Sequence, residues 1–325
     1  MRIFRHIAYL VVVLVLLGGC KLDNEQRLPI KISITAWPGY AYAFIAEEKG
    51  FFDRNGVDVE LVYRDDAAES FELYLNSQVD GFFYLLSDVL LAESEGINTK
   101  VVFVLDYSEG GDAIVGKSDF KSMEDLKGKT IGVGVIHSFS HFLVFSLMEQ
   151  AGLQEGEFYL SNVPANEVLP ELEKGTIDAG YTWEPTTSAA LTKGYRILGT
   201  AGDVPGLIVD VLGFNAKLVE ERPDDVKAII KSLLEALDYL KSNPEEALEI
   251  MSRSEGMTKE EMFSGLQGVH LLDLQENVLA FQRSGPISLY SAAEKISHFY
   301  VQNWQIQPHL NPFNSLTNKI ISWLL

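Results

Sequence analysis

From residue 30 onward the chain switches repeatedly between two hydrophobic spacings. Ile30, Ile32 and Ile34 alternate with Lys31, Ser33 and Thr35, the period of a half-buried strand. Trp37, Pro38 and Gly39 break that period, and 41–49 carries helical spacing up to Gly50. Val57, Val59, Leu61 and Tyr63 then resume the period of two. Asp65 or Asp66 is placed to cap the next helix. A third strand is predicted at 81–86, a helix capped by Ser87 ends before Gly96, and a fourth strand at 100–105 runs into Asp106. Strands alternating with helices indicate βαβ units and a largely parallel sheet.

Glycines cluster at Gly110, Gly111 and Gly116, and the alternation then restarts. Ser122 and Asp125 resemble a capping box, 130–135 predicts a strand, and Ser138 is placed to cap a helix ending before Gly152. Strands follow at 158–162, 177–181 and 195–198, with a helix from about residue 166 between the first two. Trp183, Glu184 and Pro185 occupy a strand-to-helix turn, where proline suits the first helical position. The stretch 205–214 is apolar with Asp210 inside it. We read 112–116 and 205–214 as two crossovers between two lobes. Residues 30–111 and 214–325 then form the first lobe and 112–213 the second. Beyond 223 the pattern is helical: Asp224 and Asp225 favour a helix start at Pro223, and another run begins at Pro244. The segment 315–325 is too short to span a bilayer and predicts a helix docked on the first lobe, with a membrane-surface helix as the alternative.

The first residues have a different character. Arg2 and Arg5 precede the uncharged, mostly apolar stretch 7–17, and Gly18, Gly19 and Cys20 follow. That order is a secretory signal over 1–19. Its apolar part would rise only about 16 Å as a helix, roughly half the hydrocarbon thickness, so export and cleavage fit better than a spanning helix. Leu17 to Cys20 resembles the bacterial lipobox, which implies a lipid on Cys20 and a membrane-held protein on the periplasmic face or cell surface. Residues 20–29 then read as a tether. With one cysteine in 325 residues, a disulfide framework and a thiolate metal cluster are excluded. The formal charge of −20 disfavours nucleic acid and anionic lipid surfaces as partners.

Six segments carry a resemblance to a known family: AEEKGFF at 46–52, VDVEL at 57–61, KSMEDLKGK at 121–129, GTIDA at 175–179, WEP at 183–185 and PGLIVDVL at 205–212. In order and spacing they resemble the nitrate, sulfonate and taurine type of periplasmic solute-binding protein, a group that also includes binders of thiamine pyrimidine precursors. The resemblance implies a type II periplasmic binding fold of class α/β, closure of two lobes over a small molecule, delivery to the permease of an ABC importer, and no cofactor.

Ligands of open α/β sheets sit beyond the carboxyl ends of strands, where loops and helix starts converge. That rule selects Trp37, Tyr40, Tyr84, Ser87, Asp106 and Tyr107 in the first lobe. In the second it selects His137, Ser138, His141, Trp183 and Glu184, with Asp210 on the return crossover. The two tryptophans stand in turns rather than in apolar periodic runs, which favours contact with a ligand. Ser138 heads a helix whose free N–H groups suit a polar oxygen. His137 and His141 are one helical turn apart but lack a third ligand, so no metal is expected. No Arg or Lys falls in the turns 36–42, 84–87, 135–140 or 181–186, while Asp106, Glu184 and Asp210 stand at the strand ends. Acids gathered with aromatic faces favour a cation or hydrogen-bond donor, such as a taurine-like zwitterion or a nitrogen heterocycle, over nitrate, bicarbonate or a simple sulfonate. Docking on a membrane sensor receptor instead of a permease is the alternative function. Catalysis is not expected: an enzymatic relative that makes the thiamine pyrimidine carries a cysteine-rich motif absent here, and no G-x-S-x-G elbow or phosphate loop is found.

Overall fold

The computed structural model describes residues 28–136, 138–303, 306–322 and 324. Strands β1 (Ile30–Thr35), β2 (Val59–Arg64), β3 (Gly81–Leu85) and β4 (Thr99–Ser108) belong to one sheet. Strands β5 (Ala113–Gly116), β6 (Thr130–Val133), β7 (Tyr159–Asn162), β8 (Ala179–Thr182) and β9 (Arg196–Thr200) form a second. The chain then returns to the first sheet as β10 (Val209–Asn215) and β11 (Val269–Leu271), giving the orders β11-β4-β10-β3-β1-β2 and β7-β6-β8-β5-β9. Each sheet is parallel in part: β1 runs with β2 and β3, and β6 with β7 and β8. Each also receives an antiparallel insert from the other half of the chain's path, β10 between β3 and β4, and β5 between β8 and β9. Most of 205–214, which the apolar run presents as a crossover, is therefore a strand of the first sheet.

The centre of the first sheet is fixed by a reciprocal exchange. Gly81 of β3 stands opposite Phe214 of β10, and Phe82 stands opposite Gly213. A Cβ on Gly81 would lie 2.3 Å from the Phe214 ring, and one on Gly213 would lie 2.6 Å from the Phe82 ring. Each ring thus covers the glycine across the ladder, and any larger residue would force the ring away. All five residues of β3 are buried, as expected for a strand with helices on both faces, and this explains its unbroken apolar run.

The caps are mixed. Asp66 accepts hydrogen bonds from the N–H groups of Ala68 (2.7 Å) and Glu69 (3.0 Å) and caps Ala67–Leu75. Ser87 does not cap its helix, because β3 passes directly into Leu86–Ser94; the Ser87 hydroxyl donates to Asp88 instead (2.9 Å). Ser138 occupies the cap position of Phe139–Gln150 without accepting from a helix N–H; its hydroxyl meets the Val135 carbonyl and the Ser140 hydroxyl, each at 2.7 Å. Ser122 and Asp125 form no capping box around the short 3-10 turn Met123–Leu126, and Asp125 accepts from the Lys121 N–H at 2.6 Å. Pro223–Ser242 and Pro244–Ser254 begin at their prolines.

Two short crossovers join the sheets, and their backbones touch. The Gly268 carbonyl accepts the N–H groups of Glu109 (2.9 Å) and Gly111 (2.8 Å), while Ala201 N–H donates to the Asp112 carbonyl (3.0 Å). A Cβ on Gly202 would lie 2.2 Å from the Glu109 carbonyl oxygen, and one on Gly268 would lie 2.5 Å from the Gly111 nitrogen. The C-terminal segment docks on the first lobe. Leu316 bridges Val101 on the outer edge of β4, and Ile320 and Ile321 of Lys319–Ser322 are buried. No helix among the described residues is long and apolar enough to cross a membrane.

Candidate ligand cleft

The turn after β1 positions two aromatic side chains. The Trp37 carbonyl accepts from the Tyr40 N–H (2.8 Å), and the Trp37 N–H donates to Glu255 at the end of Pro244–Ser254 (3.1 Å). Burial pushes the Glu255 carboxyl up to about 8, so it holds this turn largely as a neutral acid. The Trp37 indole N–H then reaches the Asp106 carboxyl, 3.2 and 3.3 Å from its two oxygens. Only glycine fits between them at position 39, where a Cβ would fall 2.0 Å from Asp106 Oδ2 and 2.7 Å from the indole nitrogen.

Behind this turn lie three buried carboxyls. Asp106 on β4 and Asp210 on β10 are direct cross-strand partners, and Asp112 opens the crossover into β5. They are 0, 2 and 3% exposed for Asp106, Asp210 and Asp112 respectively. The Tyr40 hydroxyl donates to Asp210, and the Tyr181 hydroxyl, from β8 of the other lobe, donates to Asp112. These donors, an indole and two phenols, are all neutral. Burial therefore dominates: it pushes Asp106 up to about 8, with a further push from the charge of Asp112. It raises Asp210 well above the carboxylate range, with Asp106 adding to the shift, and raises Asp112 as well. No N–H or hydroxyl group of the described residues donates to Asp210 Oδ2, and its neighbour is the Asp106 carboxyl, which can meet it only through a shared proton.

The cleft in front of these groups spans about 360 Å³ of space, part of it open to solvent. Its first-lobe wall is Thr35, Ala36, Trp37, Tyr40, Ala67, Tyr84 and Leu85, with Asp210 at the base. Tyr84 is held flat against Phe71 (centroids 5.1 Å apart, planes at 11°). The second-lobe wall is Phe139, Tyr181 and Trp183, with Asp112. Phe139 meets the Tyr181 ring edge-on at 5.6 Å, and Trp183 lies 5.7 Å from the same ring. The Phe139 side chain thus occupies the cleft-facing start of Phe139–Gln150, where a polar oxygen was expected.

Of the residues selected from sequence, Trp37, Tyr40, Tyr84, Trp183 and Asp210 line one cleft, and Asp106 stands directly behind Trp37. Ser87, Ser138, His141 and Glu184 lie outside its lining. His141 is 2% exposed and meets Phe299 at 5.5 Å, as Phe142 (4.5 Å) and Phe145 (5.7 Å) do. Phe299 belongs to Leu289–Gln302 of the first lobe, so this face of Phe139–Gln150 closes against the opposite lobe. Glu184 accepts from the Ser188 hydroxyl (2.8 Å), the Ser188 N–H (3.1 Å) and the Ser264 hydroxyl (3.2 Å). Ser264 is in Lys259–Leu266 of the first lobe, so Glu184 ties the lobes together at the rim. His137 and Cys20 lie outside the described residues. Among the described residues no group of three or more His, Cys, Asp or Glu side chains is placed to hold a metal ion.

Phe139, Tyr181 and Asp112 were not selected from sequence. Tyr181 stands two residues before Trp183, the spacing that puts strand side chains on one face, and Asp112 opens one crossover as Asp210 lies on the other. Those were the signals available.

Two sheets exchanging antiparallel inserts through paired crossovers, with an aromatic and acidic cleft between them, define a two-lobed periplasmic binding protein fold. The structure aligns with the periplasmic aliphatic sulphonate binding protein SsuA from Escherichia coli at a TM-score of 0.74 and 16% identity, covering 89% of this chain and 92% of that one. The chain belongs to the NMT1/THI5-like family, whose model matches residues 37–247. Similar proteins include the formylaminopyrimidine-binding protein of Halalkalibacterium halodurans, 24% identical over 347 aligned positions covering 98% of this chain and all of that one. They also include the taurine-binding periplasmic protein of Escherichia coli (strain K12), 26% identical over 162 residues covering 49% of this chain and 50% of that one.

Proposed function

We propose that the protein is an exported, lipid-anchored solute-binding protein whose lobes close over a small organic ligand and present it to an ABC importer. The ligand carries a cationic or hydrogen-bond-donating nitrogen beside a flat apolar face. The observation that carries this reading is Asp210 Oδ2, a buried carboxyl oxygen at the base of an aromatic-walled cleft that no N–H or hydroxyl group of the described residues meets. A buried acceptor left unpaired costs about 1–3 kcal/mol, and a ligand N–H placed there recovers that cost. Trp37, Tyr84, Tyr181 and Trp183 supply π faces on both sides, which suit a flat heterocycle or a cation. The taurine- and formylaminopyrimidine-binding relatives both take nitrogen-bearing small molecules by name, which supports the same class. The relatives named for binding taurine and formylaminopyrimidine support a reading of capture without chemistry.

The test is a thermal-shift screen over aliphatic amines, taurine, aminopyrimidines, plain sulfonates and nitrate. A ligand that binds only the native state raises the melting point, by a stabilisation of about 2.7 kcal/mol at a hundred times its Kd. Amines or heterocycles are expected to give the shifts; shifts from plain sulfonates or nitrate alone would defeat the acidic-site argument. The anchor is tested separately. Cys20→Ser is expected to yield a protein that carries no lipid and is either uncut or released from membranes on fractionation, and metabolic labelling that still finds fatty acid on the variant would refute it.

A further inference from the structure

We infer that the Asp106–Asp210 pair holds a shared proton in the empty cleft and gives it up to solvent when a cationic ligand enters, so that each ligand bound exchanges for one proton. This inference rests on the reading of the cleft as a site for a cationic nitrogen. The two carboxyls are cross-strand partners on β4 and β10, a relation that places their Cβ atoms about 5 Å apart. Both are almost fully buried, and Asp112 adds a third carboxyl at the adjoining crossover.

The groups facing the pair from each surrounding element carry no positive charge. From the turn after β1 come the Trp37 indole and the Tyr40 phenol, and Tyr42 feels Asp106 from the helix behind. From the second lobe come Asp112 and Tyr181, and from β3 comes Tyr84. Glu255 lies on the far side of Trp37. His270 on β11 pairs in register with Tyr107, next to Asp106, but its imidazole is bonded to Glu276 (2.7 Å) and half-exposed. Two anions side by side in such surroundings cannot both stay ionised, and a proton between them is the simplest compensation. Consistent with this, burial raises both groups, Asp106 to about 8, and the Asp106 charge pushes Asp210 up further. A ligand cation brings the positive charge that the proton supplied. It takes the place beside Asp210 Oδ2, the proton leaves to water, and the net charge within the cleft is unchanged.

The consequence is a pH dependence of binding with a definite sign. Because the complex holds one proton fewer than the empty protein, raising the pH favours binding. The affinity should tighten by up to roughly tenfold per pH unit as the pH rises toward the range where the pair loses its proton, a range that burial lifts well above that of an ordinary carboxyl. The experiment uses the mature protein and 1-methylnicotinamide, a flat permanent cation that cannot itself release the proton. Calorimetric titrations at pH 7 in two buffers of different ionisation enthalpy count the protons released; about one per cation is expected, and few or none for Asp106→Asn. Infrared difference spectra, cation-bound minus empty, should show the loss of a protonated carboxyl band, a loss that is absent for Asp106→Asn and retained in the exposed control Glu155→Gln. Binding without proton release, or a difference spectrum without that loss, overturns the exchange and leaves the cationic reading of the cleft standing. No binding at any pH from 6 to 9 overturns both.

Discussion

Asp210→Asn is expected to weaken binding of an amine or nitrogen heterocycle at least about thirtyfold, while the exposed substitution Glu155→Gln leaves it unchanged. Removing the acceptor strands the ligand's donor or charge in a site without water, a loss of roughly 2–5 kcal/mol, whereas a rim charge alters little. The same substitution is expected to stabilise the empty protein, and more so as pH rises. The unfolded carboxyls ionise near pH 4, while the folded pair keeps a proton until much higher, to about 8 at Asp106. Stability is therefore full below about pH 4 and is lost progressively as pH rises through the raised range of the folded pair. An amide carries no such penalty. Melting curves at pH 6 and pH 8 should show the variant gaining most at pH 8, with titration calorimetry reporting the affinity. A variant that binds an identified amine as tightly as the parent would show that Asp210 does not meet the ligand. A variant that is more stable but binds more weakly would illustrate the opposition in which a binding group is kept at the expense of the empty fold.

Gly268→Ala is expected to destabilise the protein by roughly 1–3 kcal/mol and lower its melting point by about 5 °C. The obstacle is backbone on both sides. The new methyl would lie 2.5 Å from the Gly111 nitrogen and 2.7 Å from its Cα, and neither atom can rotate away as a side chain would. To make room, the first crossover has to move off the Gly268 carbonyl and give up the two hydrogen bonds from Glu109 and Gly111. Gly256→Ala and Gly128→Ala make useful comparisons, because no atom lies within 4 Å of the added methyl at either position and their cost is the left-handed backbone alone. Thermal unfolding of the three variants checks this. A Gly268→Ala protein with parental stability would mean that the crossover has slack which the packed backbones do not suggest.

How far the sequence reveals the molecule depends on which physical rule each residue obeys. The alternation of Ile30, Ile32 and Ile34, and of Val59, Leu61 and Tyr63, identifies β1 and β2 because one face is buried more completely than the other. Strand β10 was harder. An apolar run records burial on both faces but not chain direction, so nothing in 205–214 announces an antiparallel insert between β3 and β4. The cleft was legible where position alone decides, as for Trp37, Tyr40 and Asp210 at strand ends. It was not legible where partners decide. Glu184 sits at a strand-to-helix turn like a ligand contact, yet its oxygens are taken by Ser188 and by Ser264, eighty residues further along the chain. His141 likewise lies one turn into the right helix, but the neighbouring Phe142 and Phe145 belong to the same face, and all three are drawn onto Phe299.

The covering of β4 has a consequence for self-association. At one end of the strand, Asp106 to Ser108 pair with β11; at the other, Val101 donates its N–H to the Ser315 carbonyl at 2.9 Å and bridges Leu316, while the Lys100 ammonium donates to the Asn314 carbonyl at 2.6 Å. An open strand edge is a template on which a second copy can add its own strand. Asn277 already meets the peptide groups of Val104, so residues 314–316 complete the cover, and a protein clipped after residue 303 would keep its cleft residues but bare the edge of β4 around Val101 to strand pairing with a second copy.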